Sequence, residues 1–238
     1  MARTVNHDEV ARKRAEILEV AQRLIYTKGY ERMTIQDIRS ALSMSSGAFF
    51  HYYSSKAAVL EALVERIQEG VEAPILAFVD DPQLSAIEKL KRFFGTLERA
   101  RVSHQAFIVE LVQVWSTDDN AIVREKVEDA LARRRAPLLT RIVQQGVAEG
   151  SLTTPFPDRA AEIILALARS MNATLTRLML AALQEPDQPA SIDTIVDTYA
   201  AYSDAVERVL GAPRFFERPT AEVFRQWLTV RPPSQNAT

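Results

Sequence analysis

The sequence predicts an all-α fold, and three observations carry that prediction. The 238 residues include only 7 Gly, and long segments are rich in Ala, Leu, Glu and Arg, which favour helices. Apolar residues recur at helical spacing along most of the chain, and no segment shows convincing strand alternation. Short Pro-, Gly- or Ser-containing breaks separate the helical segments. We therefore expect a small N-terminal helix-turn-helix domain of three helices and a larger helical domain after it.

The composition excludes several classes of protein. The chain has no Cys, so disulfides and cysteine metal sites are impossible, and its three His residues are too scattered for a zinc cluster. No apolar run approaches the roughly 18 residues that suggest a membrane span. The polar N-terminus lacks the apolar core of a signal peptide. We therefore expect a cytoplasmic protein with no metal, no cofactor and no contact with a membrane.

Basic residues are concentrated at the N-terminus. Residues 1–56 hold nine Lys and Arg against six Asp and Glu, whereas the net charge of the whole chain is −2, so the remainder is acidic. A basic segment on an acidic body suits nucleic-acid binding, but uneven charge is also common in proteins that bind no DNA. The basic residues 12–14 are either a solvated helix face or a source of sequence-independent affinity for DNA.

The first element is a helix from about residue 8 to residue 27. Five apolar residues, spaced at i, i+1, i+4, i+7 and i+8, lie on one face of it: Ile17, Leu18, Ala21, Leu24 and Ile25. Lys28 and Gly29 are typical of a helix end, because a cation in the last turn is followed by glycine.

Two very short helices follow. Thr34 can cap the first of them, with Asp37 three residues on, and the serines beyond residue 42 limit this helix to about two turns. Ser45 is a second N-cap and begins a helix over about 46–52, and Ser54 or Ser55 begins a long helix after it. Two short helices joined by a tight turn form a helix-turn-helix, although a purely structural hairpin has the same spacing.

Further helices are expected after a break at Pro74. They cover about 83–101, 104–116, 119–150 with a kink or break at Pro137, 158–183, 191–210 and 221–228. Proline-containing segments separate the later helices, and the terminal RPPSQNAT is expected to be disordered.

Segment 14–60 carries a more specific signal. It reads RAEILEVAQRLIYTKGYERMTIQDIRSALSMSSGAFFHYYSSKAAVL. This segment resembles the N-terminal pattern of the tetracycline-repressor (TetR) family of bacterial transcriptional regulators, RxxILxxAxxLxxxxGYxxTTxxxIAxxAGVSxGTLYxHFxxKxxL. The matching positions include Ile17, Leu18, Ala21, Leu24, Gly29, Tyr30, Thr34, Ile38, Ser45, Gly47, Phe49 and Lys56.

The segment departs from that pattern at three places. Ser43 stands where the turn has Gly, and serine can adopt the same conformation at some cost. Phe50 replaces a Tyr and lacks the hydroxyl that could reach a phosphate. The pair at 52–53 is Tyr-Tyr where the pattern has His-Phe. These changes keep the fold and suggest a different set of DNA contacts.

The resemblance implies a homodimer that inserts the third helix of each copy into the major groove of double-stranded operator DNA. Small residues in the first turn of that helix allow close approach to the bases, and Gln36 is expected to reach a base edge with a preference for adenine. Hydroxyl, phenol and ammonium groups are the expected phosphate ligands. The predicted DNA-binding residues are Thr34, Gln36, Ser46, Gly47, Ala48, Phe50, His51, Tyr52 and Lys56.

The aromatic residues of this third helix are expected to divide between two faces. Phe49 and Tyr53, four residues apart, should point inward against the first two helices. Tyr52 should project outward, as should His51, which is either a DNA contact or an idle surface residue. Phe50 belongs either to the core or to the rim of the contact surface.

The family layout also implies that the larger domain dimerises. Apolar residues recur at helical spacing along two late helices, which could form a four-helix interface with a second copy. The predicted interface residues are Ile164, Ala168, Arg169, Asn172, Tyr199, Tyr202 and Val206. The alternative is that both helices line the core of their own domain.

A small-molecule effector of unknown identity and apolar character is a further implication of the resemblance. The helix predicted at 104–116 has a broad apolar face with polar residues beside it. The predicted ligand residues are Phe107, Glu110, Leu111, Trp115, Met171 and Leu175. An aromatic stripe of this kind is more often core than cavity.

The predicted organisation is a DNA-binding domain at 1–56 with its helix-turn-helix at about 34–53, a dimerisation and effector domain at 57–212, and an extension at 213–238. No nucleophile elbow, phosphate loop, dinucleotide fingerprint or metal-spaced His/Glu pair is present, so an enzyme is not expected. The expected function is a homodimeric transcriptional repressor that a small-molecule effector releases from its operator. The alternative is a helical scaffold or partner-binding protein without DNA binding.

Overall fold

The computed structural model describes residues 7–104, 121–184 and 189–229, and within these ranges it contains helices and no strand. Numbered along the described residues, the helices are α1 His7–Lys28, α2 Ile35–Ala41, α3 Ser46–Tyr52, α4 Lys56–Val79, α5 Ala86–Ser103, α6 Ala121–Ala148, α7 Pro157–Gln184, α8 Pro189–Leu210 and α9 Ala221–Thr229. The all-α prediction is confirmed. Across the described ranges, no helix combines the length and apolar character needed to cross a membrane.

The described residues form two compact units. The first comprises residues 7–69 and 121–127, and the second comprises 70–104, 128–184 and 189–229. Helices α4 and α6 each contribute to both units. The domain boundaries proposed from the sequence stay predictions.

The turn between α2 and α3 is held by backbone hydrogen bonds that end α2. The amide of Met44 donates to the carbonyl of Arg39 at 2.9 Å, and the amide of Ser43 donates to the carbonyl of Ser40 at 3.3 Å. This pair of bonds is the Schellman arrangement, which requires a left-handed residue just after the helix. Ser43 occupies that position with φ of 51°. The sequence-based interpretation of Ser43 as a strained substitute for glycine is therefore confirmed.

We expect Ser43→Gly to stabilise the protein. A left-handed conformation costs a non-glycine residue about 1–2 kcal/mol, and the greater freedom of glycine in the unfolded chain offsets about 0.5–1 kcal/mol of that gain. The net increase in the free energy of unfolding should be up to about 1 kcal/mol, measured by urea denaturation. Ser43→Val is the matched control and should destabilise, because a β-branched side chain fits this conformation poorly. A more stable valine variant would contradict the strained turn.

Neither internal proline breaks its helix, which corrects the break predicted at Pro74 and excludes a break at Pro137, where a kink stays a prediction. Helix α4 continues through Pro74 to Val79, and α6 is assigned as one helix through Pro137. A proline removes one helical hydrogen bond and frees the carbonyl four residues earlier. Both prolines and the residues four positions before them are exposed, so water can reach the freed carbonyls. Buried apolar residues beyond each proline hold the continued helix in the core.

The second unit has one large apolar core. Side chains from α4, α5, α6, α7 and α8 meet there, with Phe93, Leu139 and Ile164 fully buried among them. The buried ammonium of Lys89 donates to the carbonyl of Val79 at 2.8 Å and to the side-chain oxygen of Gln145 at 2.7 Å. A buried cation is tolerated here because two of its three donor hydrogens have oxygen partners.

The C-terminal segment is part of this unit. The buried carboxylate of Glu207 accepts the backbone amides of Phe215 at 2.8 Å and Phe216 at 3.0 Å. The Phe216 ring lies 4.6 Å from that of Phe94, and Phe224 of α9 packs in a second apolar cluster with Leu175 and Tyr199. The helix predicted at about 221–228 is confirmed as α9. The segment RPPSQNAT lies outside the described residues.

Candidate nucleic-acid interface

Helix α3 is fixed by its cap and by one buried face. The hydroxyl of Ser45 accepts the backbone amide of Ala48 at 3.2 Å, which is the N-cap predicted from the sequence. Phe49 and Tyr53 are buried, as expected for the inward face. The guanidinium of Arg14 lies over the Tyr53 ring, 4.7 Å from its centre. One side of this short helix is therefore anchored, and the other side is open.

The open side of α3 begins with the small residues that the sequence singled out. Ser46, Gly47 and Ala48 are all exposed, and a Cβ atom placed on Gly47 would have no atom within 4 Å. Nothing within the described part of the chain requires glycine at this position. The first turn of α3 is thus an exposed surface of small side chains, which the base edges of a DNA groove could approach closely.

Aromatic rings flank this surface. Phe50 is 51% exposed and stands edge-on to Phe49, so it lies at the rim and not in the core. His51 is exposed and Tyr52 is half-buried, with their ring centres 5.2 Å apart. The structure therefore leaves all the predicted residues of α3 exposed or half-buried, with only Phe49 of this helix buried. Whether each contacts DNA stays a prediction.

Helix α2 begins with a closed network around Thr34. The Thr34 hydroxyl accepts the amide of Asp37 at 3.1 Å and donates to its carboxylate at 2.6 Å, and the Thr34 amide donates to the same carboxylate. Lys28 forms an ion pair with that carboxylate. Because the single hydroxyl hydrogen of Thr34 already has an acceptor, its predicted phosphate contact would need this bond to be exchanged.

The same network makes stability depend on pH. Hydrogen bonds from Lys28 and then Thr34 lower the pKa of Asp37 from its ordinary 3.8 to about 2. A carboxyl group whose pKa is lowered by folding stabilises the protein above its ordinary pKa, and that contribution is lost as the pH falls from about 4 to about 2. We expect Asp37→Asn to be less stable than the wild type at pH 7 in urea denaturation. The difference should disappear toward pH 2, and a pH-independent difference would contradict the mechanism.

Three side chains on α2 form a small hydrogen-bonded group. Arg39 donates from Nη1 to the side-chain oxygen of Gln36 at 3.0 Å, and the Gln36 amide nitrogen donates to the hydroxyl of Ser40 at 3.1 Å. Sequence reasoning proposed Gln36 and missed Arg39. The sequence did contain a signal for Arg39, because this arginine stands where the family pattern has alanine.

Lys56 has partners within its own unit. Its ammonium donates to the carbonyl of Glu31 at 3.1 Å and lies 4.2 Å from the centre of the Tyr30 ring. Burial lowers the pKa of Lys56 despite the attraction of Glu31, and burial raises the pKa of the Tyr30 phenol to about 12. An ammonium has three hydrogens, so a phosphate contact is compatible with this arrangement.

Three basic residues near the start of α1 are also engaged within the chain. Arg12 and Lys13 both pair with Glu16, at 2.9 and 2.8 Å, and Arg14 stacks on Tyr53. Exposed pairs of this kind contribute little to stability and exchange easily. Their predicted role near the DNA backbone stays open.

The predicted interface residues of the larger domain separate by burial. Ile164 and Val206 lie in the large core and Tyr199 in the smaller cluster, so these three line their own domain, as the alternative interpretation had it. Arg169 and Asn172 are exposed, Ala168 is half-buried, and Tyr202 shares a 2.7 Å hydrogen bond with Ser170. Apolar spacing alone could not distinguish the inward from the outward face of α7.

The predicted ligand residues fall into two groups. Phe107, Glu110, Leu111 and Trp115 lie outside the described residues. Leu175 is buried in the cluster that includes Tyr199 and Phe224, and Met171 packs partly buried against it. The structure therefore supports a packing role for these two.

The N-terminal segment matches a known family model. The model described as bacterial regulatory proteins of the tetR family covers residues 17–63, which include α2 and α3 completely. The chain is 25% identical over 196 residues to the HTH-type transcriptional regulator EthR of Mycolicibacterium smegmatis, covering 78% of this chain and 82% of that protein. An HTH-type transcriptional repressor of Mycobacterium tuberculosis is 35% identical over 69 residues, covering 29% of this chain and 37% of that protein.

Solved structures show the same fold over most of the chain. A TetR-family transcriptional regulator from Pectobacterium atrosepticum superposes with a TM-score of 0.61 at 16% identity, covering 88% of this chain and all of that one. A TetR/AcrR-family regulator from Thermobifida fusca gives a TM-score of 0.51 at 24% identity, covering 66% and 82%. The helical layout beyond the N-terminal segment is therefore also shared.

Proposed function

Because this chain belongs to the TetR family of bacterial transcriptional regulators, we propose that it is a homodimeric repressor that a small-molecule effector releases from its operator. DNA binding and transcriptional regulation follow from the family. Dimerisation, the effector and the individual contact residues are the proposed parts. The alternative of a scaffold protein without DNA binding is not favoured by these similarities. A cytoplasmic location belongs to the same proposal, because a regulator acts where the chromosome lies.

The observation that carries the proposal is the uncovered first turn of α3 on an anchored helix. Ser46, Gly47 and Ala48 are exposed next to a capped N-terminus, while Phe49 fixes the opposite side of the helix in the core. A major groove admits one helix, and small residues bring its backbone close to the base edges. Ser46 is the proposed hydrogen-bonding residue, and Ala48 the proposed contact for a thymine methyl group.

Residues around this turn supply the proposed phosphate contacts. Tyr52 and Lys56 combine partial exposure with a phenol and an ammonium group, and His51 and Phe50 are exposed beside them. Phosphate contacts fix the position of a protein on the duplex, and contacts to base edges set sequence preference. Thr34 contributes only after its bond to Asp37 is exchanged.

Selection of bound fragments from the native genome, followed by gel-shift measurements, tests DNA recognition. We expect recovery of one symmetrical sequence, whose affinity for the full-length protein falls steeply with salt. The two half-sites should lie about 34–36 Å apart or a multiple of one helical turn. Recovery of no common sequence, or affinity insensitive to salt, would count against the proposal. The genes beside the operator would then suggest the effector.

Gly47→Ala should separate DNA binding from stability. Alanine at a helix position is about 0.5–1 kcal/mol more stable than glycine, and the added Cβ meets no atom within 4 Å in the protein. Thermal denaturation should show an unchanged or higher midpoint. In gel shifts the affinity for the operator should fall by about tenfold, if the new methyl group costs about 1.4 kcal/mol at the groove.

Gly70→Ala is the matched control for that variant, because Gly70 is also a helical glycine with no atom within 4 Å of an added Cβ. It should leave operator affinity unchanged. Equal affinity of the Gly47→Ala and wild-type proteins would mean that α3 does not approach DNA at this position.

The outward face of α7 is the proposed dimer surface. Ile163, Ala166 and Ala173 are exposed beside the predicted polar residues Arg169 and Asn172. Small residues allow close helix–helix contact with a second copy, and α8 packs along the other side of α7. Sedimentation equilibrium should report a dimer, and Ala166→Arg should shift it toward monomer because a buried unpaired charge is costly.

A further inference from the structure

Arg39 changes what the Gln36 side chain can offer to a base. An arginine side chain carries only hydrogen-bond donors, so the Gln36 atom that faces Arg39 Nη1 at 3.0 Å must be its carbonyl oxygen. The amide nitrogen then faces the Ser40 hydroxyl, as the 3.1 Å distance shows. The amide orientation, which is ordinarily ambiguous, is set by its two neighbours.

The backbone beneath this group is fixed at both ends. Thr34 and Asp37 form a reciprocal capping box at the start of α2. At its other end, the carbonyls of Arg39 and Ser40 accept the amides of Met44 and Ser43. The three side chains therefore project from a helix of defined length and orientation.

Most of the hydrogen-bonding sites that remain free are donors, because Arg39 already occupies one of the two lone pairs of the Gln36 carbonyl oxygen. One hydrogen of the Gln36 amide nitrogen is used by Ser40, and one of the five guanidinium hydrogens of Arg39 is used by Gln36. Guanine presents two acceptors, N7 and O6, in the major groove, whereas adenine presents one acceptor and one donor. A surface made mainly of donors matches the two acceptors of guanine better than the acceptor and donor of adenine.

We propose that Arg39 is a specificity-determining residue that fixes the Gln36 amide, so that α2 selects guanine over adenine at the base pair it meets. This inference rests on the proposed DNA-binding function. It revises the adenine preference expected for Gln36 alone, in which neither the oxygen nor the nitrogen of the amide had a partner on the protein.

The guanidinium of Arg39 is partly buried, which bears on how a variant at this position should fold. Its Nε atom is buried and has no hydrogen-bond partner among the described residues. A buried unpaired donor is unfavourable, so removing it offsets the loss of the bond between Arg39 and Gln36. The family pattern also accepts alanine at this position. Arg39→Ala is therefore expected to fold, with a thermal midpoint close to that of the wild type.

The experiment is a selection of bound duplexes from a randomised pool, with full-length wild type, Arg39→Ala, Gln36→Ala and the double variant. The wild type should prefer guanine over adenine at one position in each half-site. Arg39→Ala should lower that preference by about fivefold or more, with the other positions unchanged. Because the two residues act as one unit, the double variant should lose no more than either single variant.

Arg23→Ala is the charge-matched control, since it removes an exposed arginine from α1 and leaves Gln36 untouched. Any effect of Arg23→Ala should be on the overall affinity for DNA, and the preference for guanine over adenine should stay the same as in the wild type. A wild-type preference for adenine, or an Arg39→Ala protein that weakens equally on every sequence, would overturn the inference and leave Arg39 as a phosphate contact only. A wild type that selects no sequence would overturn the proposed function itself, and this inference with it.

Discussion

Phe49→Ala is expected to lower the free energy of unfolding by about 3–5 kcal/mol, the usual cost of truncating a fully buried phenylalanine. The Phe49 side chain has no exposed surface and is the main apolar group by which α3 is anchored. Losing it leaves a seven-residue helix that is too short to persist without packing. Chemical denaturation followed by circular dichroism measures the loss, and hydrogen exchange should localise it to the first unit.

Phe50→Ala is the natural control, because the neighbouring ring is 51% exposed. It should change the free energy of unfolding by about 0.5 kcal/mol or less, as exposed substitutions do. Phe49→Ala should abolish operator binding, because α3 is disordered. Phe50→Ala should only weaken operator binding, because a contact at the rim is removed. Comparable destabilisation by the two substitutions would show that α3 is oriented differently from the structure described above.

The division of α3 into an anchored and an open face could be predicted from the sequence. Ser45 bonds an amide three residues away and Thr34 does the same, so both caps depend on local geometry that the residue types already specify. Phe49 and Tyr53 fall on one face because of helical periodicity alone. Ser43 was recognisable because the turn requires a left-handed residue whichever amino acid occupies it.

Other features depend on contacts that no local pattern encodes. Pro74 has the local signature of a break, but burial of the residues after it, including Ile75 and Phe78, favours a continued helix. Ile164 has the spacing of an interface residue and lies in the core, because inward and outward apolar faces have the same periodicity. The hydrogen bond between Arg39 and Gln36 joins two polar surface residues. The sequence shows that they are three positions apart and can therefore meet on a helix, but it does not show that they bond.

Glu207→Ala is expected to be the second most damaging substitution, with a loss of about 2–5 kcal/mol. Its carboxylate is the acceptor for two backbone amides, those of Phe215 and Phe216, and each buried amide left without a partner costs about 1–3 kcal/mol. Both amides belong to the segment that leads from α8 to α9. Releasing them should also detach the stacked Phe215 and Phe216 rings from Phe94.

Limited proteolysis with trypsin reports on this segment directly, because Arg214 is exposed one residue before the first of the two amides. Cleavage there should be much faster in Glu207→Ala than in the wild type. Glu207→Gln retains an acceptor oxygen and should be intermediate, while Glu217→Ala removes an exposed carboxylate from the same segment and should have no effect. If Glu207→Ala resisted trypsin as the wild type does, apolar packing of the two rings would be sufficient to hold the segment without the carboxylate.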